Sequence, residues 1–239
     1  MVRLVLFDID GTLIRTGGAG VKAFELTFAT EFKIARGTEK MKFAGRTDVS
    51  LVREFFTLHE IDPSPDNFAR FFDRYTFWLD HVLHEATGET CEGVDEFIRD
   101  LAALPDPPTL GLLTGNIRLG AELKLRRYQL WEYFTMGAFG DDHEDRNQLA
   151  VIAKARGSRL LKEELSGEQI LVIGDTPRDI ECAAAIDAQM LAVATGGASL
   201  GDLETHRPTW AVKNLREITA AETCGQAGRV RRRKPRQPS

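Results

Sequence analysis

Short apolar runs alternate with helical patterns along most of this chain, and few folds accommodate that order. A continuous apolar run of about five residues is typical of a strand buried on both faces of a parallel sheet. Between the runs, apolar residues recur every three or four positions, as in helices with one buried face. The alternation predicts an α/β fold with a doubly wound parallel sheet. The predicted strands cover residues 2–7, 109–113, 134–139, 169–173, 190–193 and, at the edge, 210–212.

One long segment, residues 19–86, interrupts this order because it has helical patterns and no strand pattern. Its most regular pattern is an aromatic-rich stretch over residues 68–83. Glycine-bearing connections lead into and out of the segment, which is typical of an inserted domain that could rotate as a lid. We therefore predict a core of residues 1–16 and 88–222, an all-helical cap of residues 17–87, and a basic, disordered tail of residues 223–239.

The composition, 43% hydrophobic and 28% charged, is that of an ordinary globular protein. No apolar stretch reaches the length of about 18 residues that a membrane span needs, and the first apolar run meets Asp8 without a signal-peptide pattern. The three cysteines are too few and too scattered for a disulfide framework or a zinc site. These features lead us to expect a cytoplasmic protein with no membrane partner.

The net charge of −5 conceals a strongly basic C-terminus. Residues 229–239 contain six cations and no acid, so the rest of the chain is acidic. The simpler interpretation is a solvated, disordered terminus. The alternative is an arm that contacts nucleic acid or another anionic surface, but no aromatic residue is interleaved there. We expect no nucleic-acid partner except through this tail.

Acidic residues follow three of the predicted strands, with Asp8 and Asp10 after the first, Asp141 and Asp142 after the third, and Asp175 and Asp179 after the fourth. Ligands of open α/β sheets bind beyond the carboxyl ends of the strands, so we expect these acids to converge on one crevice. Carboxylates that close repel one another unless a cation lies among them. Oxygen ligands without His or Cys favour Mg²⁺. A lone Asp at a strand end is often only a helix cap, which does not explain the ordered recurrence.

Three ordered motifs resemble those of the haloacid dehalogenase superfamily, whose members are mostly phosphoryl-transfer hydrolases. Their order and spacing hold over most of the chain, and the resemblance implies a Rossmann-like core. The helical insertion between the first and second motifs resembles the cap of the phosphoglycolate-phosphatase-like branch. The matches are DIDGT at residues 8–12, Thr114 after the second predicted strand, and GDTPRD at residues 174–179.

The resemblance implies a Mg²⁺-dependent phosphatase that works through an aspartyl-phosphate intermediate. Asp8 would be the nucleophile, and Asp10 would protonate the leaving alcohol and then accept a proton from water. The metal would be held by Asp8, the main-chain carbonyl of Asp10 and Asp175, and Asp179 would orient the metal or its waters. Dehalogenase members lack the second acid because a halide leaves without protonation, so Asp10 favours phosphate chemistry.

Further residues of the motifs are assigned to phosphate binding by the same resemblance. The Thr114 hydroxyl and the main-chain N–H groups of Gly115 and Asn116 would bind phosphoryl oxygens. Gly11 would permit a backbone turn beside the phosphate, and Thr12 is assigned to substrate binding with it.

The third motif departs from the family pattern, in which a lysine bridges the nucleophile and the phosphate. The segment of residues 140–146 contains no lysine, and Arg146 is the best substitute because its guanidinium grips two oxygens. Lys154 and Lys162 lie too far along the chain. The alternative for Arg146 is a surface ion pair with a neighbouring acid, Asp142 or Asp145. Asp141 and Asp142 are otherwise interpreted as loop or capping residues.

In the cap, Arg46 is the candidate for binding the far carboxylate or phosphate of a substrate, although an exposed arginine in a capping loop explains it as well. The aromatic stripe of residues 68–78 is more simply cap core than a platform for stacking bases.

Three functions compete. The first is a Mg²⁺-dependent phosphatase acting on a small phosphorylated metabolite, with phosphoglycolate-like substrates as the family default. The second is a sugar-phosphate mutase, which the same cap type supports. The third is a non-catalytic binding protein with an RNA-contacting tail, and the intact acid pair, Thr114 and Asp175 argue against it.

Overall fold

Six parallel strands form the central sheet of the computed structural model, which describes residues 1–226. Within those residues there are eight strands, numbered in chain order: β1 (Leu4–Phe7), β2 (Ile14–Arg15), β3 (Glu89–Thr90), β4 (Thr109–Leu113), β5 (Met136–Ala138), β6 (Ile170–Gly174), β7 (Gln189–Val193) and β8 (Trp210–Val212). The sheet has the order β5-β4-β1-β6-β7-β8, with β8 at one edge. The predicted α/β fold with a parallel sheet is confirmed.

The helices described in residues 1–226 are α1 (Ala19–Glu31), α2 (Asp48–Leu58), α3 (Pro65–Glu85), α4 (Val94–Ala102), α5 (Arg118–Arg127), α6 (Arg146–Leu161), α7 (Pro177–Ala184), α8 (Leu200–Thr205) and α9 (Ala220–Thr223). The first three are the predicted helical insertion between the first and second motifs. None of the helices in this range is long and apolar enough to cross a membrane.

Strand β1 is buried on both faces, which explains its uninterrupted apolar sequence. Val5 and Phe7 belong to one apolar cluster, with residues of α4 and α5. Leu4 and Leu6 belong to the opposite cluster, with residues of α6 and α7. Helices therefore cover both faces of the sheet, and β1 lies at its centre.

The cap has an apolar core of its own, formed by α1, α2 and α3. The Phe28 and Phe55 rings stack at a centroid distance of 3.5 Å, and Phe71 and Tyr75 from the aromatic stripe are buried beside them. The interpretation of that stripe as cap core is confirmed. Ile117 next to α5 joins the same cluster, so the cap rests on this end of the core.

A two-stranded ribbon at the base of the cap was not predicted. Strands β2 and β3 flank the inserted segment and pair antiparallel through Ile14 with Thr90 and Arg15 with Glu89. Two residues per strand are too few to produce a recognisable period in the sequence. The ribbon fixes the two chain crossings between core and cap side by side.

The end of the described chain differs from the predicted tail. Thr223 closes α9, and Cys224 and Gln226 are buried. The Gln226 amide donates to the Asp106 carbonyl at 2.9 Å and its oxygen accepts from the Asp106 N–H at 3.3 Å. Residues 223–226 therefore pack on the core, contrary to the prediction. The basic run of residues 229–239 lies outside the described residues.

Candidate active site

Three buried carboxylates meet at the carboxyl edge of the central strands. Asp8 follows β1 and Asp175 follows β6, and these strands are parallel neighbours in register. Asp179 lies in the first turn of α7. One oxygen from each carboxylate lies within 4.8 Å of the others. Three of the acids predicted to converge are thus brought together as one cluster. The carboxyl groups of Asp10, Asp141 and Asp142 lie outside it and have other partners.

Helix α7 begins in a way that positions Asp179. Thr176 is the N-cap residue and Pro177 occupies the first turn, where its missing N–H costs no hydrogen bond. The Thr176 backbone N–H and hydroxyl both donate to Asp179 Oδ2, at 3.0 and 2.6 Å. This capping box fixes one oxygen of Asp179 and leaves the other, Oδ1, facing the cluster.

Arg146 is the cation of this cluster. It is the first residue of α6, after the N-cap Asp145, and is 93% buried. Its Nη2 donates to Asp8 Oδ1 at 3.2 Å and to Asp179 Oδ1 at 2.5 Å. Asp142 instead pairs with Arg156. The alternative of a surface ion pair for Arg146 is therefore wrong, and the arginine predicted to replace the family lysine lies against the predicted nucleophile.

The cluster has more acid than base. Three carboxylates face one guanidinium, so full ionisation would leave two negative charges without a partner. Burial raises the pKa of Asp8 to about 7, against the opposing effect of Arg146. Burial, together with the charge of Asp179, also holds the pKa of Asp175 well above its usual range. A divalent cation would supply the missing charge, and carboxylate oxygens are ligands that Mg²⁺ prefers.

Gly11 and Thr12 lie against Asp175. The Thr12 hydroxyl donates to Asp175 Oδ1 at 3.0 Å. Gly11 has a φ of +87°, and a Cβ there would lie 2.5 Å from Asp175 Oδ2, so only glycine fits. Thr12 is 1% exposed and is not among the residues that line the cavity, whereas Gly11 is. The structure thus places Thr12 behind Asp175 and outside the cavity lining, and its predicted role in substrate binding stays a prediction.

Asp10 faces a second cation, Lys124, that the sequence analysis missed. Lys124 Nζ lies 2.9 and 2.7 Å from the two carboxylate oxygens of Asp10 and 2.6 Å from Asn116 Oδ1. Asn116 Nδ2 donates to Asp10 Oδ2 at 2.8 Å and to the Thr114 hydroxyl at 2.9 Å. Two sequence motifs are therefore joined through a lysine that belongs to neither.

A signal for Lys124 was present in the sequence. On α5 the buried positions are Gly120, Ala121, Lys124 and Leu125, so the lysine occupies the apolar face of the helix. A cation at a core-facing position is rarely buried without a partner. The LKLRR sequence hides it, because three basic residues near a helix C-terminus are also typical of a solvated last turn.

The loop after β4 is where the cap touches the core. Asp48 N–H donates to the Gly115 carbonyl at 2.8 Å, and Asp48 Oδ2 accepts from the Ile117 N–H at 2.9 Å. A Cβ at Gly115 would lie 2.1 Å from the Arg46 carbonyl oxygen, so this approach requires glycine. Asp48 is buried, and the loss of hydration raises its pKa to about 6 although Lys124 opposes the shift. The sequence analysis did not identify this acid.

Arg46 lies at the edge of the crevice with its guanidinium bound inside the cap. It pairs with Glu54 and donates to the Ser50 carbonyl at 3.2 Å. The side chain is 21% exposed and lines the cavity beside the cluster. Its predicted contact with a substrate stays a prediction, and would need a substrate group that competes with Glu54.

A cavity of about 430 Å³ lies between core and cap. The core supplies a polar floor: Asp8, Asp10, Thr114, Asn116, Lys124, Arg146 and Asp175. The cap supplies a mostly apolar roof: Val21, Phe24, Phe43, Leu51 and Tyr75, with Asp48 beside them. The site is thus polar where the predicted chemistry takes place and apolar above it.

The fold and this site define a capped α/β protein with an acidic, metal-compatible centre at the carboxyl edge of its sheet. The sequence profile of the family described as haloacid dehalogenase-like hydrolase matches residues 5–193, so the chain belongs to that family. A sequence comparison with curated proteins found no match.

Solved structures share the fold at low sequence identity. A mutant of CbbY from Rhodobacter sphaeroides, in complex with xylulose-(1,5)bisphosphate, has a TM-score of 0.74 and 18% identity, over 91% of this chain and 96% of that one. A predicted phosphoglycolate phosphatase from Haemophilus somnus 129PT has a TM-score of 0.70 and 17% identity, over the same shares. A predicted phosphatase from Clostridium acetobutylicum has a TM-score of 0.68 and 18% identity, also over 91% and 96%.

Proposed function

We propose that this chain is a Mg²⁺-dependent phosphatase that hydrolyses a small phosphorylated metabolite through a phosphoryl group on Asp8. The observation that carries the proposal is the position of Asp8. Its carboxylate lies in a three-acid cluster, is touched by Arg146, and lines the cavity under the cap. A nucleophile, a charge-compensating cation and a metal-compatible ligand set are what phosphoryl transfer to a carboxylate requires.

The acid cluster fits a divalent metal on the chemistry of its donors. Mg²⁺ would be held by Asp8, Asp175 and the Asp10 carbonyl. Asp179 is better suited to orienting it, because its oxygens already accept from Arg146 and Thr176. When bound, the ion supplies positive charge that lets an anionic carboxylate approach an anionic phosphate.

In the first half of the reaction an Asp8 oxygen forms a bond to phosphorus, and the bond from phosphorus to the leaving oxygen breaks. The Asp10 carboxyl gives its proton to that oxygen, so the alcohol leaves neutral and Asp10 becomes a carboxylate. Arg146 and the Thr114 hydroxyl bind phosphoryl oxygens and offset the charge that develops on them.

In the second half a water molecule attacks the phosphorus of the aspartyl phosphate. Asp10 takes a proton from that water, and the bond from phosphorus to Asp8 breaks with its electron pair on the Asp8 oxygen. Inorganic phosphate leaves, and both carboxyl groups return to their starting forms. The cap roof limits access of other water to the intermediate.

The size of the cavity supports a small substrate, because about 430 Å³ accommodates a metabolite and not a polymer. The printed descriptions of two structural neighbours, a predicted phosphoglycolate phosphatase and CbbY with a sugar bisphosphate, support phosphorylated metabolites as the class. We further propose phosphoglycolate-like substrates as the first to test, and residues 17–87 as the lid that closes over them.

The experiment is hydrolysis of p-nitrophenyl phosphate with Mg²⁺ and with excess EDTA, followed by a panel of phosphorylated metabolites. We expect metal-dependent turnover in the wild type and its loss in Asp8→Asn. Arg156→Ala is the control, because this exposed arginine lies on α6 outside the cavity lining. A rate of hydrolysis that is unchanged by EDTA, or that is retained in Asp8→Asn, would contradict the proposal.

A further inference from the structure

We propose that Lys124 is a positioning residue for Asp10: it holds that carboxyl group at the angle needed for proton transfer to the leaving oxygen. The proposal rests on the function proposed above, because it assigns Lys124 no chemistry of its own. Lys124 lies outside the three motifs, on α5, whereas Arg146 lies on α6 and Asp179 on α7.

The donors of Lys124 are all engaged within the site. An ammonium group has three N–H donors, and Nζ has three acceptor atoms at 2.6–2.9 Å, both oxygens of Asp10 and Oδ1 of Asn116. Asn116 in turn donates to Asp10 Oδ2. The Asp10 carboxyl is therefore held by two side chains at once, which defines its rotation about the Cβ–Cγ bond.

The burial of the pair is uneven, and this points to function. The Lys124 side chain is 5% exposed, whereas that of Asp10 is 44% exposed and lines the cavity. Burying an ammonium group is unfavourable unless its partners compensate for the lost hydration. An apolar residue would serve the packing of α5 equally well. The lysine gives rigidity to a carboxyl group that still faces the place where a substrate would bind.

The cap encloses this lysine from the other side. A Cβ on Gly20, in α1, would lie 3.5 Å from Nζ of Lys124 and 3.9 Å from the hydroxyl oxygen of Tyr75. The ammonium group is thus sandwiched between the core loop and the first turn of the cap. Water has little access to it, so its hydrogen bonds to Asp10 are weakened less by solvent than those of an exposed pair would be.

A direct role in substrate binding is the competing explanation for a buried cation in a cavity. It would require Lys124 to release Asp10 or Asn116, since no donor remains. The two roles differ in kinetics. Loss of a residue that binds the substrate should raise KM whatever the leaving group is. Loss of a residue that positions Asp10 should lower the rate only for substrates whose leaving oxygen must be protonated.

The test compares leaving groups in Lys124→Met. The probes are p-nitrophenyl phosphate, whose phenolate leaves without a proton, and the best hydrolysed of 2-phosphoglycolate, glycerol 3-phosphate and glucose 6-phosphate, whose alkoxides need one. We expect kcat/KM for the alkyl phosphate to fall about 10- to 100-fold, and that for p-nitrophenyl phosphate to fall less than about threefold. Lys124→Arg, which keeps the charge, should restore part of the loss.

A double-mutant cycle with Asp10→Asn separates positioning from binding and from folding. Once Asp10 cannot transfer a proton, Lys124→Met should have no further effect on kcat/KM for the alkyl phosphate. Lys154→Met is the matched control, because this lysine lies on α6 and does not line the cavity. We expect it to behave as the wild type, and Mg²⁺ dependence to survive in all Lys124 variants.

Equal losses on both probes, or an unchanged Lys124→Met effect in the Asp10→Asn background, would overturn the proposal in favour of substrate binding or structure. Wild-type rates in Lys124→Met would also overturn it while leaving the phosphatase function intact. Failure of the wild type to hydrolyse any probe, or activity in Asp8→Asn, would instead contradict the proposed function itself.

Discussion

Nη2 of Arg146 lies 3.2 Å from Oδ1 of Asp8 and is held there by a second hydrogen bond to Asp179. This one guanidinium nitrogen therefore bridges the predicted nucleophile and a second acid of the three-carboxylate cluster. Of the buried side-chain nitrogen and oxygen atoms described in residues 1–226, only Nε of Arg146 has no hydrogen-bond partner. Nε is itself buried, so a phosphoryl oxygen would be bound by the part of the guanidinium that lines the cavity.

Replacing Arg146 by Ala should lower kcat at least about 100-fold, because it removes a buried donor from the developing charge on phosphate. Arg146→Lys should lie between Ala and the wild type, since it keeps the charge but loses the planar fork. Steady-state kinetics with saturating Mg²⁺ provide the measurement. Arg156→Ala on the same helix should leave kcat unchanged, and a similar loss in that control would show that the effect is structural.

The raised pKa of Asp8 predicts that the metal-free protein becomes less stable to unfolding as the pH rises. The folded pKa, about 7, exceeds the value of 3.8 for a free carboxyl group, so the folded state binds the proton more tightly. The contribution of the Asp8 carboxyl group to the free energy of unfolding is present below its pKa in the unfolded chain, 3.8, and is lost as the pH rises to about 7. In EDTA near pH 8, Asp8→Asn should therefore unfold a few degrees above the wild type.

Adding Mg²⁺ should remove that difference, because a cation that binds only the folded wild-type cluster stabilises it by mass action. Differential scanning fluorimetry of both proteins, with EDTA and with Mg²⁺ at several pH values, measures this. A wild type that gains nothing from Mg²⁺, or an Asp8→Asn variant that gains as much, would contradict the assignment of Asp8 as a metal ligand.

Replacing Asp48 by Asn should also stabilise the protein at high pH, although Asp48 lies in the cap and outside the acid cluster. Its pKa of about 6 in the fold means that its ionised form is disfavoured above that pH. Asp48→Asn keeps an oxygen for the Ile117 N–H and should raise the free energy of unfolding by about 3 kcal/mol near pH 8. Urea titrations should show the gain shrinking toward pH 4, and a gain that is constant with pH would rule out this cause.

Gly115→Ala should disturb the contact between cap and core. Its Cβ would lie 2.1 Å from the Arg46 carbonyl oxygen, so the cap loop must move away. We expect kcat/KM to fall by about tenfold or more and the melting temperature to fall by several degrees. Gly197→Ala is the matched control, because a Cβ there meets nothing within 4 Å. Equal kcat/KM values and melting temperatures in the two variants would mean that the close contact between Gly115 and Arg46 is unimportant.

The parts of the site that the sequence predicted are those determined by local order. Asp8 and Asp175 follow strands whose apolar sequence is unmistakable, and parallel strands bring their carboxyl ends to one edge. Arg146 could be found because it begins a helix after a strand end. The inferences for Asp8 and Asp175 needed the chain near each residue and the rule for parallel sheets, whereas Arg146 was found through the family resemblance, as the substitute for the expected lysine.

The parts that were missed depend on contacts between distant segments. Lys124 meets Asp10 across 114 positions of sequence, and Ile117 meets Asp48 across 69. No period or motif encodes which distant segment α5 packs against, nor how the cap sits on the loop after β4, so neither pair was visible. The hydroxyl partner of Thr12 was missed for the same reason, since it is Asp175, 163 positions away.

The central claim, that Asp8 takes the phosphoryl group, is tested most directly by mass spectrometry of the acid-quenched enzyme during turnover. The account predicts one added phosphoryl group on the peptide that contains Asp8, with none on that peptide in Asp8→Asn. A wild-type enzyme that turns over substrate while the label appears on another residue, or on none, would contradict it.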